Sequence, residues 1–329
     1  MKALVTGAGG FLGRHVVKQL IARGDSVRGF SRGQYQDLAD TGMEMIRGDV
    51  CDESAVRRAC QGRDVVFHTA AVAGIWGPWK RFHAVNTKGT EHVIEGCRAA
   101  GVPKLVFTSS PSVTFDGGDQ ENVDESVPYS DRWLCHYPHT KALAEQQVLG
   151  ANSEALSTCA LRPHLIWGPG DQHLIPRLLA RARQGRLRRV GDGQNFIDTV
   201  YIDNAAEAHL LAADRLTAGS PVAGKAYFIS QGEPVRCWEW IDQILELASL
   251  PSIEKSISLK SAWRMGAAME CLFRFFRIQS EPPMTRFLAA QLGTSHFFDI
   301  SRARRDLAYS PTIETTEGMR RLAVELQAS

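Results

Sequence analysis

Tyr137 and Lys141 stand four residues apart in Tyr137-Pro138-His139-Thr140-Lys141, which runs on into Ala142-Leu143-Ala144-Glu145-Gln146-Gln147-Val148. On a helix, that spacing puts the phenol and the ammonium on one face. A free tyrosine ionises at about pH 10, and a cation beside it favours the phenolate, so the pair suits proton exchange near neutrality. Ser109-Ser110-Pro111-Ser112 adds hydroxyls able to orient a carbonyl while its oxygen gains or loses a proton. Together these groups suit interconversion of a ketone and an alcohol. Unrelated helices carry the same Tyr/Lys pair, so the reading depends on the elements around it.

The first of those elements is Gly7-Ala8-Gly9-Gly10-Phe11-Leu12-Gly13, which follows the strand-like Ala3-Leu4-Val5 and opens a helix-like run over 15–23. Glycines at 7, 10 and 13 permit a sharp turn out of a strand, bare N–H groups against a pyrophosphate, and close packing of helix on strand. The helix start adds unsatisfied donors and a positive dipole end. Leu12, Val16, Val17, Leu20 and Ile21 form the apolar stripe that buries such a helix, and Gly24 stands where a C-cap belongs. Gly7, Gly10, Phe11, Leu12 and Gly13 are expected to bind a dinucleotide.

A second strand, Ser26-Val27-Arg28-Gly29-Phe30, leads into Ser31-Arg32-Gly33. NAD sites place a carboxylate here to accept from the ribose 2′-hydroxyl, whereas this chain offers a hydroxyl and a guanidinium, both partners for a 2′-phosphate. Ser31 and Arg32 therefore predict NADP(H). Asp49-Val50 would lie near the adenine, and the small residues of Thr69-Ala70-Ala71 would let the chain pass beneath the cofactor.

Strands at 43–47, 64–68 and 104–108 alternate with helices at 53–60 and about 82–100, the pattern of a doubly wound parallel sheet of Rossmann type. The serine run leaves the carboxyl end of the 104–108 strand, the edge where open α/β sheets bind ligands. After about residue 165 the pattern loosens, with a turn at Trp167-Gly168-Pro169-Gly170 and regular elements near 198–202, 204–216 and 227–230. We expect a dinucleotide-binding domain over 1–164, a smaller, mainly substrate-binding lobe over 165–329, and a return of segments near 197–230 to the sheet.

The 329 residues exceed one compact core, and a net charge of +2 gives no sign of a nucleic-acid partner. Seven scattered cysteines show neither metal spacing nor a disulfide framework and read as buried thiols. No metal is expected. The first strand and phosphate loop occupy 3–13, where a cleaved leader would lie, and no apolar run reaches spanning length; these features point to a cytoplasmic enzyme.

Over nearly its whole length the chain resembles the extended short-chain dehydrogenase/reductase family. The resemblance rests on the glycine loop, Asp49, His68-Thr69-Ala70-Ala71, Asn86-Thr87-Lys88-Gly89-Thr90, the serine run, Tyr137 with Lys141, Arg162-Pro163, and Asp198-Thr199-Val200-Tyr201-Ile202-Asp203-Asn204. It implies that Ser110, three positions before Val113, is the catalytic serine, with Ser109 and Ser112 as alternatives. It further makes Tyr137 the acid/base and Lys141 its partner, sets Asn86 as a brace beneath the site, and puts Pro163 by the nicotinamide. Sugar-nucleotide epimerases and dehydratases of the family usually carry an arginine before the aspartate matching Asp198; here stands Ile197, and Thr199 replaces an aromatic residue. Asn195, the run from Val200 to Ala206, and Ala208-His209 look like the 3β-hydroxysteroid dehydrogenase branch. The loop Ala73-Gly74-Ile75-Trp76-Gly77-Pro78-Trp79 resembles bacterial members that reduce 2-alkyl-3-oxoalkanoic acids in long-chain olefin biosynthesis. A nucleotide-sensing regulator is the rival of a different class, and such proteins typically lose the Tyr/Lys pair. By the same resemblance, helices near 82–100 and 136–150 would form a homodimer interface.

The segment 261–278 carries Trp263, Met265, Met269, Leu272, Phe273, Phe275, Phe276 and Ile278, with Glu270, Arg274 and Arg277 on one helical face. It reads as a core or dimer-packing helix, as a lid over a long hydrophobic substrate, or as a docking face for pathway enzymes or a membrane surface. Trp76 and Trp79 fall at the ligand edge. His68, His136, His139, His164 and His173 are candidates to meet a substrate carboxylate.

Overall fold

The computed structural model describes residues 1–33 and 35–328. Seven strands, β1 (Lys2–Thr6), β2 (Ser26–Ser31), β3 (Glu44–Arg47), β4 (Val65–His68), β5 (Lys104–Thr108), β6 (Ser157–Pro163) and β7 (Lys225–Ile229), form one sheet in the order β7-β6-β5-β4-β1-β2-β3. Every pairing is parallel. The order reverses between β1 and β4, which opens a crevice at their carboxyl ends. Along β1, Ala3 and Val5 join one core while Leu4 joins the other, because successive side chains point to opposite faces and both faces are covered.

Five helices make those covers: α1 (Phe11–Ala22), α2 (Glu53–Cys60), α3 (Gly89–Ala100), α4 (His136–Gly150) and α5 (Ile202–Arg215). On one face α1 packs on α5, tied by His15 Nδ1 to Asp203 Oδ1 at 2.8 Å and by Gln19 Nε2 donating to the Asp203 carbonyl at 2.8 Å. On the other, α2, α3 and α4 lie side by side. A turn at Trp79–Phe82 and a π-helical segment, His83–Lys88, extend α3 backwards. Such widened turns recur at functional sites, and this one carries Asn86.

The strand at 157–163 has no counterpart in the sequence reading. Its residues, Ser-Thr-Cys-Ala-Leu-Arg-Pro, are all buried yet neither alternate nor run apolar. Partners brought by the fold make this possible: Thr158 Oγ1 donates to the Val148 carbonyl at 2.6 Å, and Arg162 pairs with buried Glu145. A second, four-stranded sheet joins Val235–Arg236, Phe196–Ile197, His296–Phe298 and Gln120–Val123. Its strands come from distant parts of the chain, and none is long enough to print a period on the sequence.

Two later helices, α6 (Leu259–Phe275) and α7 (Arg286–Gly293), pack on each other. The buried stripe of α6 is Ala262, Gly266 and Glu270, and a Cβ on Gly266 would stand 2.6 Å from the Thr285 backbone. Trp263 packs against the small cluster of Phe115, Leu134 and Phe287, but Leu272 and Ile278 are exposed, Phe275 is 79% exposed and Phe276 61%. This excludes the core-helix reading of 261–278. The expectation of buried thiols also fails in part, since Cys51 and Cys271 are exposed and Cys135 is half-buried. Among the described residues no helix is long and apolar enough to cross a membrane, and no cluster of three metal-ligating side chains occurs.

Candidate active site

The glycine loop forms a cradle whose shape depends on missing side chains. Gly7 has φ +72°, and a Cβ there would lie 2.8 Å from the Ala70 backbone. Thr69 and Ala70 cross directly behind it, with Thr69 Oγ1 donating to the Thr6 carbonyl at 2.8 Å. At Gly13 a Cβ would come within 2.2 Å of the Gly7 carbonyl oxygen. Gly10 is the N-cap of α1 and supplies no capping side chain, unlike Asp52 at the start of α2. The first N–H groups of α1 thus face the crevice without an internal partner, as a pyrophosphate requires. Phe11 begins α1 with its ring edge-on to His15, and Leu12 is anchored in the core.

At the far end, Ser31 ends β2 and donates to the Gly33 carbonyl at 3.2 Å, while Arg32 is exposed. Asp49 spends one carboxylate oxygen on the Cys51 N–H at 2.9 Å, and Val50 is buried against Gly89. Tyr35, which the sequence reading passed over, lies across the loop: a Cβ on Gly9 would collide with its ring, and the Arg14 guanidinium stacks 4.8 Å from the ring centre. An aromatic residue next to a basic turn was the available signal. The cradle, the uncapped helix start and the Ser31-Arg32 turn fit a dinucleotide.

The reacting end lies where β5 and α4 meet. Ser110 is half-buried, its hydroxyl 2.8 Å from that of Ser112, and it caps the turn Pro111–Thr114. Ser109 is buried, and its hydroxyl has no partner among the described residues. Burial pushes the Tyr137 phenol up to about 12, and a hydrogen bond with Ser110 pulls the other way. Lys141 is buried, donates to the Thr108 carbonyl and sits 4.0 Å from the centre of the Phe107 ring. Burial holds its ammonium down to about 7, with Glu145 opposing. Burial thus raises the phenol, Ser110 is its lowering contact, and one donor of the Lys141 ammonium goes to the Thr108 carbonyl.

A line of buried hydrogen bonds fixes these groups. Asn86 Oδ1 accepts from the Val72 N–H at 2.8 Å, and its Nδ2 donates to the Val72 carbonyl at 3.2 Å and to Thr140 Oγ1 at 3.1 Å. Thr140 Oγ1 bonds back to the His136 and Tyr137 carbonyls. Asn86 therefore ties the loop after β4 to the first turn of α4. Behind it, Thr90 Oγ1 donates to the Asn86 carbonyl and so accepts from His68 Nε2–H, which leaves Nδ1 to accept from Thr6 Oγ1 at 2.7 Å. His68 is neutral, burial holding it down to about 3. Pro163 ends β6, and the Ser109 N–H bonds to that strand through the Leu161 carbonyl.

Beside the start of α4 opens a cavity of about 690 Å³ whose apolar walls include Ile75, Trp76, Trp133, Leu134, Phe273 and Ile278. Trp76 docks on the end of α6: its Nε1–H donates to the Ile278 carbonyl at 3.3 Å, and its ring meets Phe273 edge-on. His136 and His139 line the cavity. His68 does not; nor does His164, whose Nε2 is 2.6 Å from His296 Nδ1. His173 lies outside it, beginning the helix Leu174–Arg183. Asp198 is wholly buried, accepts from the Phe298 N–H, and is raised to about 6 by burial. Ile197 is likewise buried, so this segment braces the second sheet rather than facing the cavity.

A Rossmann cradle ending at a serine, a tyrosine and a lysine defines a short-chain dehydrogenase/reductase of the extended type. The family model described as 3-beta hydroxysteroid dehydrogenase/isomerase matches residues 4–260, and the chain belongs to that family. It is 51% identical over 98% of each chain to a 2-alkyl-3-oxoalkanoate reductase of Stenotrophomonas maltophilia. It is 34% identical to the decarboxylating sterol-4-alpha-carboxylate 3-dehydrogenase of Mus musculus, over 97% of this chain and 89% of that one. Among solved structures, MoeE5 in complex with UDP-glucose and NAD superposes with a TM-score of 0.75 at 25% identity, covering 100% of this chain and 99% of that one. The protein is an oxidoreductase of CH–OH groups that uses a nicotinamide dinucleotide.

Proposed function

We propose that the protein is an NADP(H)-dependent reductase that converts a 2-alkyl-3-oxoalkanoic acid into the 2-alkyl-3-hydroxyalkanoic acid, acting as a cytoplasmic homodimer joined through α3 and α4. The observation that carries this reading is the cavity beside the first turn of α4, where Ile75, Trp76, Trp133 and Phe273 form apolar walls and Arg274 and Arg277 add charge. Its size suits a ligand of drug-like bulk. Buried Ile197, where the family's sugar-nucleotide enzymes carry arginine, weighs against a nucleotide sugar. For the dinucleotide, Ser31 and exposed Arg32 support the 2′-phosphate form.

When bound, the dinucleotide supplies hydride to the carbonyl carbon. Tyr137 Oη gives its proton to the substrate oxygen, and Ser110 Oγ hydrogen-bonds that same oxygen as its charge rises. At neutral pH the Tyr137 phenol carries the proton that reduction of a carbonyl needs. Asn86, through Thr140, holds the first turn of α4 so that Tyr137 meets the oxygen in register.

The family match favours a second reading, a 3β-hydroxysteroid as substrate. A chain-length series of 2-alkyl-3-hydroxyalkanoic acids, assayed beside a 3β-hydroxysteroid and a UDP-sugar, separates these. Under the first reading affinity grows by about 0.8 kcal/mol per buried methylene until the cavity is full; flat dependence on length with turnover of the steroid alone rejects it. For the cofactor, Ser31→Asp with Arg32→Ala should shift preference from NADPH toward NADH, and tighter NADH binding by the unmodified protein would overturn the assignment.

A further inference from the structure

The mouth of the cavity carries positive charge that the protein leaves uncompensated. Of the charged groups lining it, Glu270 is buried and already saturated: it accepts from the Arg286 N–H at 2.7 Å, Nη2 at 2.7 Å and Nε at 3.0 Å. This pair seats α6 on α7. Arg274, one turn beyond Glu270, reaches the same carboxylate only at 3.5 Å, keeps 59% of its side chain exposed, and stacks 5.5 Å from the Trp76 ring centre. Arg277 lines the cavity and has no ion-pair partner among the described residues. His136 and His139 add no negative charge; burial, the first cause for each, lowers both. With Glu270 neutralised by Arg286, the lining retains two guanidiniums beside aliphatic and aromatic walls.

Backbone geometry puts Arg277 there. The Ile278 N–H bonds to the Phe273 carbonyl at 2.9 Å and the Arg277 N–H to the Arg274 carbonyl at 3.2 Å, closing α6 in a left-handed turn with Arg277 at φ +52°. Glycine is the usual residue at that position; this chain accepts the cost of a long side chain in it. The turn brings Arg277 and Ile278 to the rim together, the first charged and the second apolar.

We propose that Arg274 and Arg277 form the carboxylate-recognition pair of this site and set its preference for 2-substituted 3-oxo acids over neutral ketones. The inference rests on the proposed reductase function and deepens it. A planar guanidinium pairs a carboxylate through two parallel hydrogen bonds, and its stacking on Trp76 restricts Arg274 before substrate arrives.

The test compares a 2-alkyl-3-hydroxyalkanoic acid with its methyl ester as substrates for oxidation by the full chain, with NADP⁺ and NAD⁺ each supplied. Binding of both compounds is followed in parallel through tryptophan fluorescence. The unmodified protein should favour the acid. Arg277→Gln and Arg274→Gln should each raise KM and Kd for the acid by about 10-fold or more while leaving kcat and the ester's KM within about twofold. Arg277→Lys should recover part of the loss, and added salt should weaken the acid alone. A parallel rise for acid and ester means the arginines only support the fold, and an unchanged acid KM means they do not touch substrate; either overturns the pair. If neither compound is oxidised while the acid still binds in an arginine-dependent way, the pair stands and the reductase function falls. Equal use of acid and ester by the unmodified protein removes the pair and leaves the function standing.

Discussion

Three glycines of one loop stand at different distances from their nearest obstacles, so replacing each by alanine separates folding from ligand binding. Gly13 lies inside α1, where alanine should gain about 1 kcal/mol of helix propensity. Its new Cβ would stand 2.2 Å from the Gly7 carbonyl oxygen, and backbone on both sides must separate by nearly an ångström to relieve it. Overpacking of this kind costs about 1–3 kcal/mol, so the net is a loss of up to about 2 kcal/mol. The larger effect should fall on the dinucleotide, because displacing the N-terminus of α1 by that distance loses a hydrogen bond to the charged pyrophosphate and weakens binding by about 10- to 10²-fold. At Gly10 the only neighbour within 4 Å of an added Cβ, among the described residues, is the Gly7 oxygen at 3.2 Å, and its φ of −79° suits any residue. Gly10→Ala should leave thermal stability within about 0.5 kcal/mol yet weaken the dinucleotide, since the methyl enters the space above the helix start. Gly9→Ala should displace only the Tyr35 ring. Thermal melts with and without dinucleotide, paired with calorimetric titration, read both quantities. Unchanged affinity in Gly13→Ala, or an equal stability loss in Gly10→Ala, refutes the account of the loop.

Tyr137→Phe removes only the proton donor, so turnover should fall by at least about 10²-fold with dinucleotide affinity kept, as single-turnover kinetics and titration will read. Asn86→Ala strands the Val72 N–H and carbonyl; it should cost about 2–3 kcal/mol in urea unfolding and lower kcat more than it raises KM. His68 and His209 are held by burial at about 3 and about 4. Their stability contribution is complete above the unfolded value of about 6.5 and is lost as pH falls toward those folded values, about 2 kcal/mol each by pH 5; urea midpoints between pH 7.5 and 5 measure the slope, and His209→Gln should make it shallower. Lys141, held at about 7, acts in the window from there to about 10.5. The unfolded chain binds its proton more readily, so stability rises with pH across that window, and Lys141→Met should flatten the rise in the same titration.

The parts of this molecule legible in its sequence are those encoded by neighbours along the chain. The glycine loop, the apolar stripe of α1 and the Tyr137/Lys141 spacing each span a few turns, and β1 to β5 carry enough apolar residues to mark themselves. β6 escaped notice because Thr158 and Arg162 are satisfied by Val148 and Glu145, partners a local pattern cannot show. The charged face of α6 was visible, but its orientation was not: Glu270 turns inward because Arg286, on another helix, meets it. The Tyr137/Lys141 spacing shows a shared helix face, but not that the Thr108 carbonyl, supplied by a strand, takes one donor of the ammonium.

The loop that leaves β4 has duties at both ends. Thr69 and Ala70 pass behind Gly7 in the dinucleotide cradle, and a few residues later Trp76 is bonded to the Ile278 carbonyl and packed on Phe273 in the wall of the cavity proposed for substrate. Asn86 clasps the segment midway, at Val72. Under the proposed function, one short stretch of backbone is common property of two binding events. Whatever free energy it transmits must act equally in both directions: the factor by which dinucleotide alters the affinity for substrate is the factor by which substrate alters the affinity for dinucleotide. Trp76, although it belongs to neither ligand's reacting atoms, is a residue through which that reciprocity can be measured.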